Sequence, residues 1–173
     1  MNNEKLEIVN VINKLKEPKL LVIGDFAIDE MVYGKTARIS REAPVLILQH
    51  THTNYILGGA ANAAHNVATI NNGNVSVIGI VGDDYQANDL KNALSKAGID
   101  YKYLVKDSER KTITKTRISG SCSQSVTQKI VRIDRQTNAP ISAKTEQNII
   151  NAAKKLIPEY DAIFLSDYHI VTL

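Results

Sequence analysis

The sequence has no tryptophan, two phenylalanines, two methionines, four prolines and a single cysteine. One cysteine, Cys122, excludes an internal disulfide and suits a reducing compartment, so a cytoplasmic location is expected. Cys122 stands in the polar run SGSCSQS with no base nearby in sequence, and reads as a loop thiol rather than a nucleophile. No apolar run approaches the length a membrane-spanning helix needs, so no membrane partner is expected. The opening stretch MNNEKLEIVNVINKLKE lacks the apolar centre of a secretory signal. Charge of one sign is also scarce: 21 Lys+Arg against 18 Asp+Glu leave a net charge of +3. The basic residues are spread out and stacking aromatics are few, which argues against a nucleic-acid partner. GIVGDD at 79–84 is neither a P-loop nor a dinucleotide fingerprint. His50, His52 and His169 have no recognisable metal-ligand spacing.

What is present is a chain of 173 residues, 43% hydrophobic and 23% charged, enough for one globular unit with a real core. Short apolar runs recur at KLLVIGD (19–25), NVSVIGIVGDD (74–84) and DAIFLSDY (161–168), each bounded by Gly or Asp. They read as strands buried on both faces, as in a parallel sheet. Helical spacing falls between them, at 59–70, at 85–97 before Gly98 and at 142–157 before Pro158, and an amphipathic helix precedes them at 3–16. Strands alternating with helices predict an α/β class with a doubly wound, mostly parallel sheet. Residues 43–57 and 111–134 break the rhythm with β-type runs and no helix, and predict a small antiparallel sheet beside the core. No linker separates two domains.

Acidic residues follow each core strand: Asp25 and Asp29, Asp83 and Asp84, and Asp167. Ligands of open α/β sheets settle at the carboxyl ends of strands, where a carboxylate accepts hydrogen bonds from sugar-like hydroxyls. The competing reading of each is a loop or helix cap, and Asp83 or Asp84 reads as the N-cap of 85–97. YILGGAANAAHNVATI (55–70) sets two glycines before a small-residue helix. Bare glycines at a helix start let a ligand approach unpaired main-chain N–H groups; the alternative is a flexible loop before a closely packed helix.

VIGDFAIDEMVYG, RISREAPV and LGGAANAAHNVA, followed in order by TITKTRI, QKIVRIDRQ and LSDY, resemble the N-terminal half of the ribokinase-type (PfkB) carbohydrate kinases over about residues 18–168. Each motif alone is weak; their order and spacing together are specific. The closest resemblance is to the branch that phosphorylates D-glycero-β-D-manno-heptose 7-phosphate at O1 in ADP-heptose synthesis for the lipopolysaccharide core. The resemblance implies that residues 1–173 are the N-terminal part of one ribokinase-like domain, with lid strands at about 31–57 and 111–134 inserted in the α/β core. By that resemblance Asp29 is the sugar-binding aspartate, Gly58 and Gly59 the glycine pair at the sugar, and Asn62 an amide contact to it. Arg38, Arg41, Lys115, Arg117 and Arg132 become candidates to hold the substrate's phosphate, because guanidinium groups match phosphate oxygens. The alternative for each is a solvated strand face, and Arg132 with Asp134 reads equally as a surface ion pair.

The resemblance also implies ATP and Mg²⁺ as cofactors and a homodimer through the small sheet. Its catalytic base and anion hole belong to a glycine-rich GAGD-type turn, and that string does not occur in these 173 residues. No catalytic residue is therefore expected within this stretch, and little or no activity from it alone. A non-catalytic sugar-phosphate-binding module is the alternative. Two departures from the family pattern are Asn71 after VATI and HIVTL after LSDY, where a Lys and a Gly are usual.

Overall fold

β1 (Leu20–Gly24) is an unbroken apolar strand, and it sits at the centre of a sheet because both of its edges find partners. In the computed structural model, which describes residues 3–15, 18–122 and 126–170, β1 pairs in parallel with β4 (Val75–Val81) on one side and β8 (Ala162–Ser166) on the other. β5 (Asp100–Lys106) adds to the far edge of β4, giving sheet A the all-parallel order β5-β4-β1-β8. Alternate residues of β1 and β4 feed two separate cores. Val22, Val75, Val77 and Val81 pack with helices α2 (Ala60–Ile70) and α3 (Tyr85–Lys96). Leu21, Ile23, Ile78 and Ile80 pack with α4 (Ala143–Leu156) through Ile149 and Leu156. Helices on both faces make the core doubly wound, as the alternation of the sequence implies.

Local chemistry sets the helix ends. α2 lies close to the sheet because Ala60, Ala61, Ala64 and Ala68 are its buried residues. Asp84 caps α3, its Oδ1 accepting from the Ala87 N–H at 3.0 Å. Its Oδ2 accepts from the Thr112 N–H at 2.9 Å, so one carboxylate fixes a helix and the entry to a later strand. Ser142 caps α4 at the Thr145 N–H, and Lys154 and Lys155 meet the negative end of the helix dipole. The N-terminal α1 (Asn3–Lys14) forms as its spacing predicts, but Ile8, Val9, Val11, Ile12 and Leu15 stay exposed.

Sheet B is the lid. β2 (Phe26–Ile39) and β3 (Leu46–Gly59) form a long antiparallel hairpin, joined by β6 (Ile113–Ser121) and β7 (Gln128–Arg135) in the order β3-β2-β6-β7. The outer pairs are antiparallel as expected, whereas the central pair, β2 with β6, is parallel. Both strands leave the core from the same end, β2 after β1 and β6 after β5, so they run the same way. β2 also begins at Phe26, ahead of the expected start of the lid at 31, because Phe26 and Ile28 are themselves core residues.

Candidate functional site

Period-2 alternation builds the site. Phe26 and Ile28 point into the core, so Asp29 points to the opposite face of β2. In the same row, Lys115 on β6 stands beside Asp29 and Asp134 on β7 stands beside Lys115. The next row on that face places Met31, Arg117 and Arg132 side by side. Three cationic side chains and two carboxylates thus share one face. The Arg117 guanidinium is ion-paired to Asp29, each side chain 23% exposed. Arg132 is held in two-point contact by Asp134, Nε to Oδ1 at 2.8 Å and Nη2 to Oδ2 at 2.9 Å, so the local ion-pair reading of these two residues holds.

The two glycines serve different ends. A Cβ on Gly58 would stand 3.4 Å from the Asp29 carboxylate, so that carboxylate lies directly over bare main chain. Gly59 is the N-cap of α2 at φ 55°, and a Cβ there would stand 2.5 Å from the Asp25 carbonyl oxygen. The same oxygen accepts from the Ala60 N–H at 2.9 Å. Gly59 is therefore required by the chain path. Asn62 is exposed on the first turn of α2. The Asp25 side chain is buried and binds the Tyr168 and Ile170 N–H groups at 3.1 and 3.0 Å, tying the segment after β8 to the end of β1.

The structure brings Asp29, Gly58, Lys115, Arg117 and Arg132 to one face. It leaves Arg38 and Arg41 at the exposed far end of the lid. Arg38 is nine positions beyond Asp29 along β2, roughly 30 Å at the rise of an extended strand. Behind Asp29, on the opposite face, lies a polar chain that the sequence reading missed. The Thr116 hydroxyl donates to Glu30 and accepts from Arg135, joining β2, β6 and β7. The alternating threonines of TITKT were its trace in the sequence. Tyr55, paired with Glu30 in register, donates to Asp89 on α3. Burial first, then the negative charge of Glu30, pushes the Asp89 carboxyl above its ordinary value, against the lowering effect of the Tyr55 bond. A cleft of about 670 Å³ opens here, with Tyr55, His65, Asp89, Asn92 and Lys96 in its wall. It lies between β3 and α3, away from Asp29.

The described residues contain no group of three or more His, Cys, Asp or Glu placed to hold a metal ion. Among the described residues, the carboxylates near the core strand ends are held by protein groups: Asp25 by the Tyr168 and Ile170 N–H groups, Asp83 by Lys106, Asp84 by Ala87 and Thr112, and Asp167 by His169.

The sequence profile of the pfkB family of carbohydrate kinases matches residues 17–170. The chain belongs to that family. Among its curated relatives, the bifunctional protein HldE of Helicobacter hepaticus is 39% identical over 153 residues, 88% of this chain and 30% of that protein. HldE of Citrifermentans bemidjiense is 35% identical over 165 residues, 95% of this chain and 33% of that protein. The chain thus spans about a third of the length of these relatives. A solved carbohydrate kinase from Agrobacterium tumefaciens shares the fold, with a TM-score of 0.61 at 19% identity over 86% of this chain and 45% of that one. The pfkB chain therefore has an α/β fold with a parallel sheet and a second, mixed sheet. No helix among the described residues is long and apolar enough to cross a membrane.

Proposed function

We propose that residues 1–173 are the sugar-binding part of an ATP-dependent sugar-phosphate kinase, with heptose 7-phosphate, phosphorylated at O1, as the favoured substrate. The observation that carries this reading is the Asp29 carboxylate lying over the bare main chain of Gly58, on a face that also presents Lys115 and Arg117. The carboxylate accepts hydrogen bonds from sugar hydroxyls, the missing Cβ lets the ring approach, and Asn62 supplies an amide that both donates and accepts. Lys115 and Arg117 hold the phosphate already on the sugar, with Arg132, which Asp134 binds, adding its charge beside Arg117. Arg38 and Arg41 are too far from Asp29 in one chain to join them, and would reach a bound phosphate from a second copy docked through the lid. The outer half of the lid suits such a copy, since Val32, Leu46, Leu48, Ile118, Ile130 and Val131 line an apolar groove of about 350 Å³.

ATP supplies the transferred phosphoryl group and Mg²⁺ its charge neutralisation when bound; we place both outside the residues described here. The part these residues play is to bind and orient the sugar so that its hydroxyl meets that group in line. A cytoplasmic setting accompanies this reading.

Isothermal titration of the chain with heptose 7-phosphate tests it. Binding that weakens at least tenfold in Asp29→Ala is expected, and equal affinity in the variant overturns the assignment of Asp29. A binding module without turnover is the second reading, favoured by the lack of a GAGD-type turn in the sequence. An ADP-release assay on the full-length protein separates the two: heat of binding without ADP release there identifies the module.

A further inference from the structure

We infer that Arg117 is a gate on the sugar site, and that Asp29 offers both of its oxygens to sugar hydroxyls only when a substrate phosphate draws Arg117 away. This rests on the sugar-phosphate reading above and concerns how that site selects its ligand. The Asp29 carboxylate is only half open, because the Arg117 guanidinium is paired to its Oδ1 while Oδ2 lies over Gly58. The pair is partly desolvated, each side chain 23% exposed, so it is firmer than a pair in open solvent yet can part without exposing a fully buried charge.

The surrounding charges decide what parts it. Arg132 lies beside Arg117 in register but is committed to Asp134 by two contacts. Lys115 stands in the row of Asp29 and Asp134, and is ion-paired to neither among the described residues. Three cations against two carboxylates leave these two rows one positive charge in excess. An incoming phosphate is attracted by that excess, and it offers Arg117 two oxygens in place of its single contact to Asp29 Oδ1. As Arg117 turns to the phosphate, both oxygens of Asp29 become available to hydroxyls above Gly58. A sugar without phosphate reaches the second oxygen, Oδ1, only by breaking the pair with nothing in return. Inorganic phosphate alone leaves Asp29 without its counterion. Only a ligand carrying both groups satisfies both residues, so recognition of the phosphate and of the hydroxyls is positively coupled.

Titration of the full chain with heptose 7-phosphate, with unphosphorylated heptose and with inorganic phosphate tests the gate. Wild type is expected to favour heptose 7-phosphate over heptose by about tenfold or more. In Arg117→Met, which keeps the apolar stem, heptose is expected to bind as well as or better than in wild type while heptose 7-phosphate weakens, so the ratio collapses. Loss of both ligands by the same factor in Arg117→Met overturns the gate, since Arg117 would then only position Asp29, and leaves the sugar-phosphate reading standing. Asp29→Asn gives an independent readout: freeing Arg117 should tighten inorganic phosphate about fivefold, and unchanged or weaker phosphate binding in that variant refutes the gate. A wild-type chain with no heat for heptose 7-phosphate overturns the sugar-phosphate reading, and the gate with it.

Discussion

Sheet A and sheet B have four strands each, yet they are held together by different physics. Sheet A is clamped between two apolar cores, and Leu21, Val22, Val77, Ile78 and Leu90 are wholly out of contact with water. Sheet B has a buried root at Phe26, Ile28 and Leu57, and beyond it the lid relies on backbone pairing and on polar rows across its strands. Its outer residues Ile39, Val45, Leu46, Ile130, Val131 and Ile133 remain exposed. The parallel sheet buries its apolar residues on both faces, whereas sheet B carries a charged row on one face and leaves apolar side chains exposed at its outer end.

The strongest attack on this contrast is Leu90→Ala in the core, expected to cost about 3 kcal/mol in a denaturant titration. Ile133→Ala in the lid should cost less than about 1 kcal/mol, and a comparable loss there would erase the distinction. Gly59→Ala comes next. Its positive φ and the contact with the Asp25 carbonyl predict a loss of about 2 kcal/mol in the same measurement. Gly58→Ala should leave stability within about 1 kcal/mol, since its Cβ meets the Asp29 carboxylate at ordinary contact distance, and should weaken heptose 7-phosphate binding instead. Thr116→Val, which removes the link between Glu30 and Arg135, should cost about 1 to 2 kcal/mol and no more.

The smallest effect expected is that of Asp89→Asn. The folded state raises the Asp89 carboxyl above its ordinary 3.8, so folding favours the protonated form. That contribution is present below 3.8 and is lost as pH climbs through the raised folded value. The uncharged amide still accepts from Tyr55, so the variant should melt slightly higher than wild type at neutral pH. The gain should be within about 0.5 kcal/mol and should vanish in acid, which thermal scans across pH will show.

Much of the core was legible because each element announces itself locally. LLVIG and VSVIGIV are unbroken apolar runs, the helices follow at period 3.6, and Asp84 and Ser142 stand where caps belong. β5 escaped because DYKYLVK is a half-buried edge strand carrying Lys102 and Lys106, with neither a continuous run nor a clean alternation. The parallel pairing of β2 with β6 was hidden for another reason: direction in a sheet depends on where each strand leaves the core, which no local pattern records. The same holds for the site. Asp29 and Gly58 were named as single residues, but the ion pair of Asp29 with Arg117 and the chain from Glu30 through Thr116 to Arg135 depend on register between distant strands. The ion pair of Arg132 with Asp134, two residues apart on one strand, was readable for the opposite reason.

The position of β1 also bears on how the protein is made. Its partner on one side, β8, comes late, and the bond from the Lys19 N–H to Asp161 joins residues 142 apart. At roughly 5 to 20 residues per second, one edge of β1 waits unpaired on the ribosome for about seven to thirty seconds. Throughout that interval the nascent chain presents an incomplete sheet, and a holding chaperone has both the time and the surface to act.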